Sequence, residues 1–173
     1  MVHYLARQGQ RSHKETVALA FAAIVSLCFA TVSNAGECEV LTAKIVASVR
    51  GAALDKIDIP GRHVELSHPD ADGLTIHCRV PADAPSNGAE IPAAISITAK
   101  SLIPSAAYFD LVGKVGSALT GRSASLVRKT AVACHQQALT EKDRWADTTI
   151  DGIYYVCNAQ SWYISVQNGP PPP

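Results

Sequence analysis

Cys38, Cys78, Cys134 and Cys157 carry the most definite chemistry in this 173-residue chain. No pair of them is spaced C-x-x-C, so a thiol–disulfide exchange site is not expected. An even set of four in an exported chain instead reads as two structural disulfides. The favoured pairing is Cys38–Cys78 with Cys134–Cys157, each joining a helix to a strand that follows it. Its rival, suited to two units facing across a pseudo-two-fold axis, is Cys78–Cys157 with Cys38–Cys134. A fifth cysteine, Cys28, sits in an N-terminal apolar run behind Leu27, a poor residue before a lipidated cysteine.

Histidine is the other type able to do chemistry near neutral pH. His63, His68 and His77 fall close together, but no zinc-ligand spacing joins them, and a solvated polar strand face explains them more simply. In the expected register Glu65 stands opposite His77, and His63 opposite Arg79. His135 would need a nucleophile and an orienting acid to act as a base, and neither is evident, so it reads as a helix-surface residue. The HPDADG stretch lacks the third acid and the closing Glu of a calcium loop, and is turn chemistry. GKVGS lacks the glycine run that a phosphate loop carries before its lysine. No catalytic, cofactor or metal site is therefore expected.

The compartment follows from the N-terminus. Arg7, Arg11 and Lys14 precede an almost wholly apolar Val17 to Val32, and Ser33-Asn34-Ala35 offers small residues for a signal peptidase. Residues 1–35 are expected to be a cleaved export signal, with an uncleaved anchor as the alternative. The protein would then be periplasmic or extracellular. The precursor has 15 basic and 15 acidic residues, and losing the signal leaves a net charge near −2. There is no clustered basic face for nucleic acid, and no membrane span after cleavage.

Residues 36–168 read as one domain that must position these groups. Glu37 to Arg50 puts Cys38, Leu41, Ile45 and Val49 on one helical stripe, with Gly51 as the stop. Ala52 to Gly61 reads as a connection. Arg62 to Ser67 and Asp72 to Cys78 form a hairpin, Pro81 to Pro92 a surface loop, and Ala94 to Lys100 a third strand. Tyr108, Leu111, Val112, Val115 and Leu119 define a second helix starting near Pro104; its Gly113 and Gly116 imply close packing on a neighbour. Gly121 ends it, Ser123 or Ser125 caps the next, and Val127, Ala131, Cys134 and Ala138 make a narrow small-residue stripe. Trp145 to Ile150 and the hairpin of Asp151 to Val166 complete the domain. Gly169 and the four closing prolines, residues 169–173, form a disordered tail.

The stretch DGIYYVC (Asp151 to Cys157) echoes DGLTIHC (Asp72 to Cys78), and Ile164-Ser165-Val166 echoes Ile95-Ser96-Ile97. That pattern is consistent with a duplicated helix-plus-meander unit. The expected fold is α+β: an antiparallel sheet of five to six strands with two to three helices on one face. Pairing Cys157 with Trp162 sends Ile153, Tyr155 and Cys157 to the core and leaves Tyr154, Val156 and Tyr163 outside, with Val156 facing Tyr163. This apolar outer patch is either covered by the Tyr108 to Leu119 helix or is an interaction surface. The expected function is a small exported binding or accessory protein without catalysis, its partner a protein or a second copy. Alternatives are a carrier of an apolar small molecule and a small hydrolase using His135 or His77.

Overall fold

The computed structural model describes residues 36–58, 63–78, 92–101 and 103–171. The expected export signal, almost all of the Pro81 to Pro92 loop and the end of the proline tail lie outside these residues. Their chain order is helix α1 (Glu37–Ser48), strands β1 (Ala53–Asp58), β2 (His63–Ser67), β3 (Gly73–His77) and β4 (Ala94–Thr98), helices α2 (Ala106–Thr120) and α3 (Ala124–Thr140), then β5 (Trp145–Ile150), β6 (Ile153–Asn158) and β7 (Tyr163–Asn168). The strands make one antiparallel sheet in the order β1-β2-β3-β4-β7-β6-β5. This is an α+β fold with seven strands, against the five to six expected.

The additional strand is β1, which the sequence reading left as a connection. Its six residues are all exposed, so they show no apolar–polar alternation to reveal a strand. A register shift between Leu54 and Lys56 breaks its ladder with β2.

Alternation explains the other strands. Val64, Leu66, Leu74, Ile76, Ile95, Ile97, Ile153, Tyr155, Cys157, Ile164 and Val166 are all buried on one face of the sheet, where the three helices pack. Local chemistry sets the helix ends. Ser105 Oγ accepts from the Tyr108 N–H at 3.1 Å and Ser123 Oγ from the Leu126 N–H at 3.3 Å. Gly121, at φ 71°, stops α2 in the left-handed region. The two-residue β5–β6 turn holds Asp151 and Gly152 at φ 54° and 77°, matching the twist of the paired strands.

The helix pair α2–α3 is the tightest joint. A Cβ added to Gly113 would meet the Ala124 carbonyl oxygen at 2.6 Å, and one on Gly116 would meet Val127 Cγ1 at 2.6 Å. Helix propensity is given up there for close approach. Beneath, Val127, Ala131, Cys134 and Ala138 are buried in the core.

The cysteines pair helix to strand. Cys38 of α1 joins Cys78 just beyond β3, with Cα atoms 5.2 Å apart, and Cys134 of α3 joins Cys157 of β6, at 5.9 Å. The β2–β4 and β5–β7 meanders thus each have a helix tied at the central strand. The echoed motifs are not in full register, however. Ile76 pairs with Ile95, whereas Tyr155, its counterpart, pairs with Val166 rather than Ile164. One half has slipped by two residues, which keeps every side chain on its own face.

Candidate functional site

All three helices lie on the buried face, so among the described residues no helix covers the opposite one. Cross-strand pairs lay out that outer face in rows. The central row runs Lys56, Glu65, Thr75, Ser96, Ser165, Val156, Asp147 across all seven strands. One flanking row contains His63, His77, Ala94, Gln167, Tyr154 and Thr149. The other contains Thr98, Tyr163, Asn158 and Trp145.

Tyr154, Val156 and Tyr163 all stand half-buried on this face. Cover by the Tyr108 to Leu119 helix is ruled out, because α2 packs on the other side against β4 and β7. Their mutual pairing is corrected: Val156 faces Ser165, Tyr163 faces Asn158, and Cys157 pairs with Ile164 rather than Trp162. The Asn158 side chain sets this register by accepting from the Gln160 and Ser161 N–H groups at 2.8 and 2.9 Å, which closes a turn over Ala159 to Trp162.

The Tyr163 ring is anchored by its hydroxyl. Tyr163 Oη lies 3.0 Å from Ser96 Oγ on the adjacent strand. The Tyr154 phenol is held above its ordinary range by burial first, then by the Asp147 carboxylate and a hydrogen bond to it. A ring whose hydroxyl reaches a neighbouring strand must lie across the sheet, with one side against it and one side free.

The polar half of the face forms a continuing chain. His63 Nε2 sits 3.0 Å from Asp58 Oδ2, His63 stands opposite His77, and His77 Nε2 lies 3.0 Å from Ser96 Oγ. Burial, and then the charge of His63, push the His77 imidazole below its usual value. The expected opposition of Glu65 to His77 is replaced by Glu65 to Thr75. Among the described residues no group of three His, Cys, Asp or Glu side chains is placed to hold a metal ion. His68 stands apart, its Nε2 3.1 Å from the Arg50 carbonyl oxygen.

Ser96 and His77 do meet as a nucleophile and a base would. Ser96 is mid-strand between β3 and β7, in ladders on both sides, so its neighbouring backbone N–H groups are engaged in the sheet rather than free as oxyanion donors.

His135 is not a surface residue. It is buried between Phe109 and Trp162, with ring centroids 5.7 and 6.2 Å away, and its Nδ1 has no hydrogen-bond partner among the described residues. Burial lowers its pKa. Trp162 is held at φ 54°, its carbonyl accepting from the Ala99 N–H at 2.9 Å. Beside it lies an open, largely apolar hollow of about 550 Å³, lined by Ala99, Lys100, Ser101, Ile103 and Trp162. No periodic or spacing signal marks this aromatic cluster, whose three members come from separate elements. Compared with protein-family models, curated proteins and solved structures, the chain matches none of them.

Proposed function

We propose that this is a small exported, non-catalytic binding or accessory protein whose contact surface is the outer sheet face around Tyr154, Val156 and Tyr163. The observation that carries this reading is the placement of all three helices on the other face, which leaves these side chains uncovered among the described residues. The anchored Tyr163 loses little entropy when it is covered, and the surrounding Ser, Thr and Asn side chains supply adaptable hydrogen bonds. That combination is typical of surfaces that bind proteins. Two disulfide-paired cysteine sets are consistent with an oxidising compartment and support export. No described helix is long and apolar enough to cross a membrane.

A photo-crosslinking amino acid at position 154, compared with one at exposed position 129 on α3, tests the contact surface. Adducts of discrete mass should form from 154 only. They should be competed by the unmodified protein but not by a Tyr154→Ser/Tyr163→Ser variant that keeps its melting temperature. Equal labelling at both positions, or a variant that unfolds, would reassign the patch as a structural surface. Export is tested by intact mass from an exporting host: the chain should begin at Gly36 and take up thiol reagent only after reduction.

The hollow at Trp162 favours a second reading, a carrier of an apolar small molecule. The unpartnered His135 Nδ1 beneath Trp162 is the specific observation for it, and ligand retained through purification would be its signature.

A further inference from the structure

The two edges of the sheet are built differently. Strand β1 has the features that discourage further pairing: an interrupted ladder, with the charged Asp55 and Lys56 at the break. Strand β5 has no such break, pairing with β6 without interruption from Trp145 to Ile150, and carries a single charge, Asp147. The Ala159 N–H donates to the Arg144 carbonyl at 2.8 Å, and the hairpin turn closes at Ile150 and Ile153, so the even-numbered residues of β5 bond to β6. The backbone groups of Trp145, Asp147 and Thr149 therefore point away from the sheet. The Trp145 N–H is taken by Asp143 Oδ1 at 3.2 Å, which leaves Asp147 and Thr149 as outward donors. The strand is exposed apart from Ala146 and Thr148, and Trp145 and Ile150 are 44% and 38% accessible. Asp147 is the one charge within this strand, near enough to the Tyr154 phenol to hold its pKa up.

We propose that two copies of this chain associate through their β5 edges, as an antiparallel pair about a two-fold axis normal to the sheet. Charge selects the register. Centring the axis on Asp147 sets two carboxylates face to face, whereas centring it on Thr148 sets Asp147 opposite Thr149 and Ala146 opposite Ile150 of the other copy. In the Thr148 register the outward donors of Asp147 and Thr149 are paired in both copies, and each Asp151 arrives beside Trp145 and Arg144 of the other. Six residues of edge alone bury too little area for a stable dimer. The helices supply the rest. Helix α3 lies over β5 and β6, so strands about 4.8 Å apart place the two α3 helices about 10 Å from one another, an ordinary packing distance. The flank of α3 turned away from α2 carries the half-buried Leu126 and the exposed Ala133 and Gln137, with a small residue at its middle. The result is a continuous sheet presenting two outer faces side by side.

Sedimentation of the mature protein across a concentration series should show the mass doubling. Amide exchange at Asp147 and Thr149 should slow on the order of tenfold or more over the same range. Thr149→Pro removes an outward donor without touching the β5–β6 ladder and should abolish both effects while preserving circular dichroism. Thr148→Cys, at a non-hydrogen-bonded pair on the axis, should form a reducible dimer on oxidation. Persistent monomer at every concentration would overturn the proposal. So would a dimer in which the Asp147 and Thr149 amides stay fast and Thr148→Cys does not crosslink, because that dimer uses another surface. If Thr149→Pro does not fold, the exchange and crosslinking results decide.

Discussion

The two halves of the sheet solve the same construction problem with different means. Among the described residues the β1–β3 half is covered chiefly by α1, and its outermost strand leaves Leu54 and Ile57 about half accessible. The β5–β7 half shares two helices that meet through Gly113 and Gly116, and its inner face is sealed around Tyr155 and Cys157. Their outer faces differ in the same sense: a chain of His63, His77 and Ser96 on one side, Tyr154 and the anchored Tyr163 on the other. The difference teaches where packing alone holds the fold and where a covalent tie must help. In the first half the chain relies on the Cys38–Cys78 bridge; in the second, close helix packing and the bridge act together.

Removing the disulfides one at a time gives the largest effects and tests that division. Loop-closure entropy predicts a loss of about 4 kcal/mol for Cys38–Cys78, which spans 40 residues, and about 3.5 kcal/mol for Cys134–Cys157, which spans 23. The halves should part in how they fail. Amide exchange in a Cys38→Ala/Cys78→Ala variant should rise first in α1 and β1, leaving α2, α3 and β5–β7 protected. A Cys134→Ala/Cys157→Ala variant should lose protection throughout, since Cys134 and Cys157 are 2% and 0% exposed in the shared core. Uniform loss in both would erase the distinction.

Next in size are the glycines. Gly113→Ala forces a Cβ to within 2.6 Å of a backbone carbonyl oxygen and should cost about 2–3 kcal/mol in urea unfolding. Gly116→Ala meets a valine methyl that can turn aside, so about 1–2 kcal/mol is expected. Gly121→Ala meets open space and should cost only its left-handed backbone, about 1 kcal/mol. A different ranking would mean that the α2–α3 joint is looser than its geometry.

Much of this division was legible in the residues. Period-two alternation sorted inner from outer side chains at Leu74, Ile76, Tyr155 and Ile164, and helical spacing marked the stripes on all three helices. Side-chain parity also survives a two-residue slip, so the outer placement of Tyr154 and Tyr163 did not depend on the turn being right. Register itself was not legible: the Asn158 cap that moves Cys157 from Trp162 to Ile164 is a local hydrogen-bond choice with no periodic signal. Strand β1 was hidden because pairing, and not burial, makes it a strand. His135 was misplaced because its cover comes from Phe109 and Trp162, remote in sequence. Tail residue Gly169, expected to lie beyond the sheet, makes an isolated bridge to Ile153.

Acid should weaken both halves, by routes that salt can separate. His77 and His135 have pKa values below the ordinary value near 6.5. The unfolded chain then binds protons more readily than the folded one, so stability is present above pH 6.5 and is lost as pH falls through 6.5 toward the folded values. His135 is lowered by burial alone, whereas His77 also feels His63. Melting temperature measured from pH 7.5 to 5 should therefore fall in both His77→Gln and His135→Gln, but less steeply than in the parent. Raising salt to about 1 M should flatten the parent's slope, and change that of His77→Gln much less, because His63 repulsion is then screened or absent. A slope indifferent to both substitutions would place the acid sensitivity elsewhere.

The smallest expected effect sharpens the account of the α2–α3 joint. Arg128 Nε approaches Asp110 Oδ1 at 2.5 Å and is the evident ion pair between these helices. Both side chains are about half exposed, so solvent screening and the entropy of holding two mobile side chains offset most of the attraction. Asp110→Asn should change stability by less than about 0.5 kcal/mol, below every glycine substitution next to it. A Cβ added to Gly113 would meet Arg128 Cβ at 3.0 Å, so the two tests probe the same contact from its packing side and its charged side. If Asp110→Asn cost as much as Gly113→Ala, charge and not close approach would be what joins the helices, and the second half would differ from the first in electrostatics rather than in packing.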